Sequence, residues 1–76
     1  MVLHNNIMNL VLVEKKFDDA VFARLDGDGS VYDYVLGREC VFNKDTVTWS
    51  WGHYNLTIEQ ALAQLRGKYK EVKNER

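Results

Sequence analysis

The run Ala20–Leu36, AVFARLDGDGSVYDYVL, decides the fold. Ala20–Leu25 alternates as a strand does, with Val21, Ala23 and Leu25 on one side and Phe22 and Arg24 on the other. Asp26-Gly27-Asp28-Gly29 then places two Asp-Gly pairs between apolar runs. That is the strongest short-range signal for a β-hairpin, because glycine accepts the positive φ that such turns require. Val31–Leu36 is the return strand, and Gly37 ends it or kinks it into Glu39–Phe42.

Upstream, Ile7–Lys15 (IMNLVLVEK) reads as a strand. A helix is the alternative, since Leu3, Ile7, Leu10 and Val11 also fit spacings of three and four. Lys16–Asp19 is a turn. Downstream, Asn43-Lys44-Asp45 makes a second turn, and Thr46–Tyr54 (TVTWSWGHY) reads as a continuous strand with Val47, Trp49 and Trp51 on one face.

Thr57–Arg66 is a helix with a signed start. Thr57 at the N-cap and Gln60 three residues later form a capping box, and Leu56 and Ala61 sit where a hydrophobic staple closes. Ile58, Ala61, Leu62 and Leu65 make its apolar stripe, which Tyr69 and Val72 extend. Gly67 is either a C-terminal stop or a weak point in a longer helix; the expectation is a helix that continues, frayed, to about Lys73, residues 68–76 otherwise forming a basic tail. The expectation is a single α+β domain over residues 1–76. In it, a three- to four-stranded antiparallel meander carries the C-terminal helix on one face, with Leu62 and Leu65 anchored against Trp49 and Trp51.

A 76-residue chain buries only about 60% of its unfolded surface, so such domains often rely on a disulfide, a metal or a partner. Cys40 is the only cysteine, which excludes an intrachain disulfide and fits a reducing, cytoplasmic setting. Apolar residues make up 46%, enough for a core. The longest unbroken apolar stretch, Leu10–Val13, is too short to span a membrane, and no basic segment precedes it as in a secretory signal. Net charge is −1, with a basic end from Arg66 onward that reads as solvated. This balance disfavours a dedicated nucleic-acid binder.

Chemistry-bearing patterns are sparse. Asp26, Asp28 and Ser30 match the first positions of a calcium loop, but Val31 replaces its required glycine and Gly37 its bidentate glutamate. Cys40 and His53 belong to no nucleophile motif, and no glycine elbow surrounds Ser30 or Ser50. The glycines fit no phosphate loop. No catalytic residue, metal site or cofactor is expected, and the chain reads as a non-enzyme. Trp49, Trp51, Tyr54, Tyr32 and Tyr34 could stack bases, with Arg24, Arg38 and Lys44 on phosphates. Because Trp49 and Trp51 share a face with Val47, they are read instead as core beneath the helix.

Both faces of the strands carry apolar residues, whereas a single helix covers one face. The other face, with Val11, Val13, Phe22, Arg24, Val31 and Val35, is the candidate interaction surface; Trp49, Trp51, Thr57, Leu62 and Leu65 are structural. Contiguous apolar surface marks association, so a protein partner and a homodimer are expected. A small nucleic-acid- or ligand-binding domain using an aromatic sheet face is the alternative.

The stretch Thr48–Leu62, with Trp49 or Trp51 leading to Gly52-His53-Tyr54 in a W-x-x-G-H-Y-like strand end before a capped helix with Ala61-Leu62, resembles small bacterial proteins of unassigned activity, often carried on mobile elements. The resemblance implies a sheet-plus-helix fold and transfers no functional residue. By analogy with phage and plasmid proteins that bind host machinery, inhibitors of bacterial immunity such as anti-CRISPRs among them, it implies a host protein as partner.

Overall fold

The computed structural model describes residues 2–5 and 8–74, with the helix side chains described as far as Gly67. The elements are β1 (Leu3–Asn5), β2 (Met8–Lys16), β3 (Asp19–Leu25), β4 (Val31–Arg38), β5 (Val41–Asn43), β6 (Thr46–Thr48), β7 (Trp51–Leu56) and α1 (Ile58–Asn74). Ile7, expected to open the first long strand, lies outside the described residues, as do the side chains of Tyr69 and Val72.

The seven strands form one mixed sheet in the order β5-β6-β1-β2-β3-β4-β7. Pairing is antiparallel except where β1 meets β6, in parallel, at His4 and Thr46. This overturns the expected three- to four-stranded antiparallel meander. The error lies in Thr46–Tyr54, which breaks at Trp49-Ser50 into two strands five intervals apart in the sheet order. A flat sheet would hold β6 and β7 about 24 Å apart. The chain from Thr48 to Trp51 reaches at most about 11 Å. The sheet therefore curls until its two ends approach each other.

Inside the curl, Leu3, Leu10, Ala20, Phe22 and Val47 form one core, with Cys40, Phe42 and Trp49 packed against it. On the outer face, Ala61 and Leu65 of α1 seat on Val21, Leu36 and Leu56, with Tyr34 and Leu62 at the margin. β3 is thus buried from both sides, which explains its apolar residues on both faces.

Three expectations are corrected by this arrangement. Phe22 and Val35 have no exposed surface and cannot belong to an interaction face. The second face is covered by the chain's own β1 and its β5–β6 hairpin. Trp49 and Trp51 do not lie beneath the helix: Trp49 stacks on Phe22 inside the curl, ring centroids 5.3 Å apart, and Trp51 is 49% exposed.

Local signals are where the sequence places them. The Asp26 N–H donates to the Ser30 carbonyl at 2.7 Å, Asp28 Oδ1 accepts from the Ser30 N–H, and Gly29 has a φ of 90°. The capping box is reciprocal. The Gln60 N–H donates to Thr57 Oγ1 at 3.1 Å, and the Thr57 N–H to Gln60 Oε1 at 3.0 Å. Two further contacts tie α1 to the sheet, His53 Nδ1 with Gln64 Oε1 at 2.9 Å and Arg66 with Glu14 at 2.6 Å.

Candidate functional site

A cleft of about 520 Å³ opens at one end of the curled sheet, lined by Asn5, Met8, Leu10, Arg24, Tyr32, Trp49 and Tyr54. Its construction begins with two irregularities in strand pairing. Between β3 and β4 the register shifts after the Arg24–Asp33 pair, so Tyr32 is an extra residue before Val31 meets Leu25. Between β4 and β7 the register shifts again, at Tyr54-Asn55, where Asn55 takes a φ of 62°. A bulge re-aims the side chains of its strand. Here both bulges aim a tyrosine at Arg24, whose Cζ lies 5.4 Å from the Tyr32 ring centroid and 5.0 Å from that of Tyr54.

Asp33 fixes the arginine. Its buried carboxylate accepts Arg24 Nε at 2.6 Å and Nη2 at 2.8 Å, and also the Asn55 N–H at 2.7 Å. One carboxylate therefore locks the guanidinium plane and the β7 bulge together. Its hydrogen bond raises the Arg24 pKa above the ordinary arginine value. The charge of Arg24 is largely spent within the fold.

Trp49 forms the other wall. Its indole lies across Gly37 and Gly52, which face each other in the β4–β7 ladder. A Cβ on Gly52 would stand 2.5 Å from Trp49 Nε1 and 2.6 Å from the Tyr54 hydroxyl; one on Gly37 would stand 2.9 Å from the indole carbons. Only glycine allows this approach. Trp49 Nε1 donates to the Tyr54 hydroxyl at 2.8 Å. The Trp49-x-x-Gly52-His53-Tyr54 stretch is thus a unit, with Trp49, Gly52 and Tyr54 building the wall and His53 turned to the helix.

Comparison of the chain with family models, curated proteins and solved structures finds no match.

The residues expected to form an interaction surface are dispersed. Val11, Val13 and Val31 are exposed, Arg24 sits in the cleft, and Phe22 and Val35 are core. The aromatic contributors Tyr32 and Tyr54 were visible as ring-bearing candidates, but the bulges that aim them leave no sequence signal. Asp33 was missed. Its legible trace is an acid directly across the hairpin from Arg24.

Elsewhere, burial and then the charge of Asp19 push the Cys40 thiol up to about 11, so it is protonated at neutral pH and a poor nucleophile. A second aspartate–arginine–aromatic group sits at the other end of β4. There, buried Asp19 accepts Arg38 Nη1 at 2.7 Å, and Arg38 Cζ lies 5.6 Å from the Trp51 ring centroid. Among the described residues no helix is long and apolar enough to cross a membrane.

Proposed function

We propose that this is a non-enzymatic interaction protein that receives an uncharged segment of a partner protein in the cleft between Tyr32, Tyr54 and Trp49. The observation that carries this reading is the composition of the cleft around a cation already neutralised by Asp33. Tyr, Trp and Arg dominate the energetics of protein interfaces, most of all where they line a pocket fixed in advance. Met8 adds an adaptable, polarizable wall. In the setting suggested by the resemblance, the partner is a host protein of a mobile element.

Affinity capture from the native cell, run in parallel with wild type and Tyr32→Ala, tests this. A protein held by wild type and lost from the variant supports the cleft; equal capture by both places the contact elsewhere.

A second reading, base stacking on Tyr32, Tyr54 and Trp51, is favoured by the exposure of these rings, 59%, 41% and 49%. Against it, the arginines beside them are held by Asp33 and Asp19, which leaves little charge for phosphates.

Self-association belongs to the same proposal. Beyond Leu10 the outer edge of β2 pairs with no described strand as far as Lys15, and Val11, Leu12 and Val13 are exposed there. An open apolar edge is a natural place for a second copy to pair.

A further inference from the structure

We propose that Asp26 is a site of spontaneous covalent modification, at which its peptide bond to Gly27 isomerises to an isoaspartyl bond, and that the fold protects the neighbouring Asp28-Gly29 pair from the same reaction. The inference goes beyond the interaction role and stands without it.

The reaction needs only water as co-reactant. The Gly27 amide nitrogen attacks Asp26 Cγ; a C–N bond forms, a C–O bond breaks, and the amide proton departs with the carboxyl hydroxyl as water. Water then opens the five-membered succinimide. Opening at the Asp26 main-chain carbonyl leaves the backbone running through the side-chain carbons, which is isoaspartate; opening at Cγ restores aspartate. Glycine favours the attack because no Cβ crowds its nitrogen.

Asp26-Gly27 and Asp28-Gly29 offer this reaction alike as sequence, and the whole turn over residues 26–30 is exposed. Hydrogen bonding separates the two pairs. At the second pair both reacting groups are committed. Asp28 Oδ1 accepts the Ser30 N–H at 2.9 Å, and the Gly29 N–H donates to the Asp26 carbonyl at 2.9 Å. The Ser30 N–H also lowers the Asp28 pKa, and an ionised carboxylate has no hydroxyl to lose as water. At the first pair, neither the Asp26 carboxylate nor the Gly27 N–H has a hydrogen-bond partner among the described residues. No atom stands within 4 Å of where a Gly27 Cβ would be, so nothing crowds the ring that must form.

The modification reaches the cleft. The Asp26 N–H donates to the Ser30 carbonyl and the Asp26 carbonyl accepts from Gly29, and this turn sets the Leu25–Val31 pairing beside the Tyr32 bulge. Isoaspartate adds one main-chain carbon there and displaces Tyr32.

The test is ageing of the intact chain in mildly acidic buffer, with a urea-unfolded sample aged in parallel. Proteolysis and electron-transfer mass spectrometry then locate isoaspartate. The expected result in the folded chain is isoaspartate at position 26 in about tenfold excess over position 28, the equivalent of the two exposed hydrogen bonds that hold the second pair. In urea the two positions should react alike. Gly27→Ala, which fits the open space, should suppress the reaction at position 26 and leave position 28 unchanged. No isoaspartate at position 26, an equal or larger amount at position 28, or the same ratio in folded and unfolded chains would overturn the proposal. Tyr32 NMR resonances unchanged in the isomerised chain would overturn its link to the cleft.

Discussion

Arg24 and Asp33 face each other across the β3–β4 hairpin and are joined by two hydrogen bonds, at 2.6 and 2.8 Å. The pair is mostly shielded, the side chains being 20% and 7% exposed. It does for the cleft what a core does for a fold, setting one geometry for the groups around it.

Removing the carboxylate should therefore be costly. Asp33→Ala leaves Arg24 without its counter-charge and the Asn55 N–H without its acceptor. The expected loss is about 3 kcal/mol, the low end for breaking a buried pair because Arg24 keeps some solvent contact. Urea unfolding checks it; a loss under about 0.5 kcal/mol would mean that water replaces Asp33 at little cost.

Two glycines should respond in opposite senses to the same substitution. Gly52→Ala drives a Cβ into Trp49 and Tyr54 and should cost about 1–3 kcal/mol, with an altered near-ultraviolet circular dichroism signal from the displaced indole. Gly67 lies within α1 with open space where a Cβ would go. Gly67→Ala should stabilise by about 0.5–1 kcal/mol. Thermal melts of both variants give the signs.

The tryptophans should differ in solvent access. Trp51 is half-exposed, whereas Trp49 is stacked on Phe22 and bonded to Tyr54. Acrylamide should quench Trp49→Phe, which retains Trp51, more strongly than Trp51→Phe. Equal quenching would contradict the placement of Trp49 inside the curl.

Acid should loosen the helix from the sheet. The hydrogen bond from Arg66, followed by smaller charge effects, holds Glu14 below its ordinary value of 4.5. A lowered carboxylate pKa contributes stability above the unfolded value and loses it as pH falls through the folded one. Asp28, lowered by the Ser30 backbone N–H, acts in the same direction. The urea midpoint should fall between about pH 6 and about pH 3, and Glu14→Gln should fall less. Identical slopes would show that the Glu14–Arg66 pair contributes nothing.

Much of the local structure was legible because its causes are local. Asp26–Gly29 turns a hairpin and Thr57 with Gln60 caps a helix through contacts within a few residues. The sheet order was not legible, because the break at Trp49-Ser50 is imposed by tertiary contacts. The indole leaves the strand alternation to lie on Gly37 and Gly52, glycines whose role is apparent only once β4 and β7 are paired. Phe22 reads as surplus apolar surface for a related reason: β1 and the β5–β6 hairpin, whose Leu3, Phe42 and Val47 pack with it, are built from short strands with weak patterns. The cleft was legible as a set of residue types, and its geometry depends on two bulges that no spacing reveals.

The central claim, that the Tyr32–Tyr54–Trp49 cleft is where a partner protein docks, is tested most directly by photo-crosslinking in the native cell. Benzoylphenylalanine is placed at position 32 and, as a control, at exposed position 41, on β5 and outside the cleft lining. The account predicts a discrete protein adduct from position 32 that is absent from position 41. Adducts from position 41 alone, or adducts to nucleic acid from position 32, would contradict it.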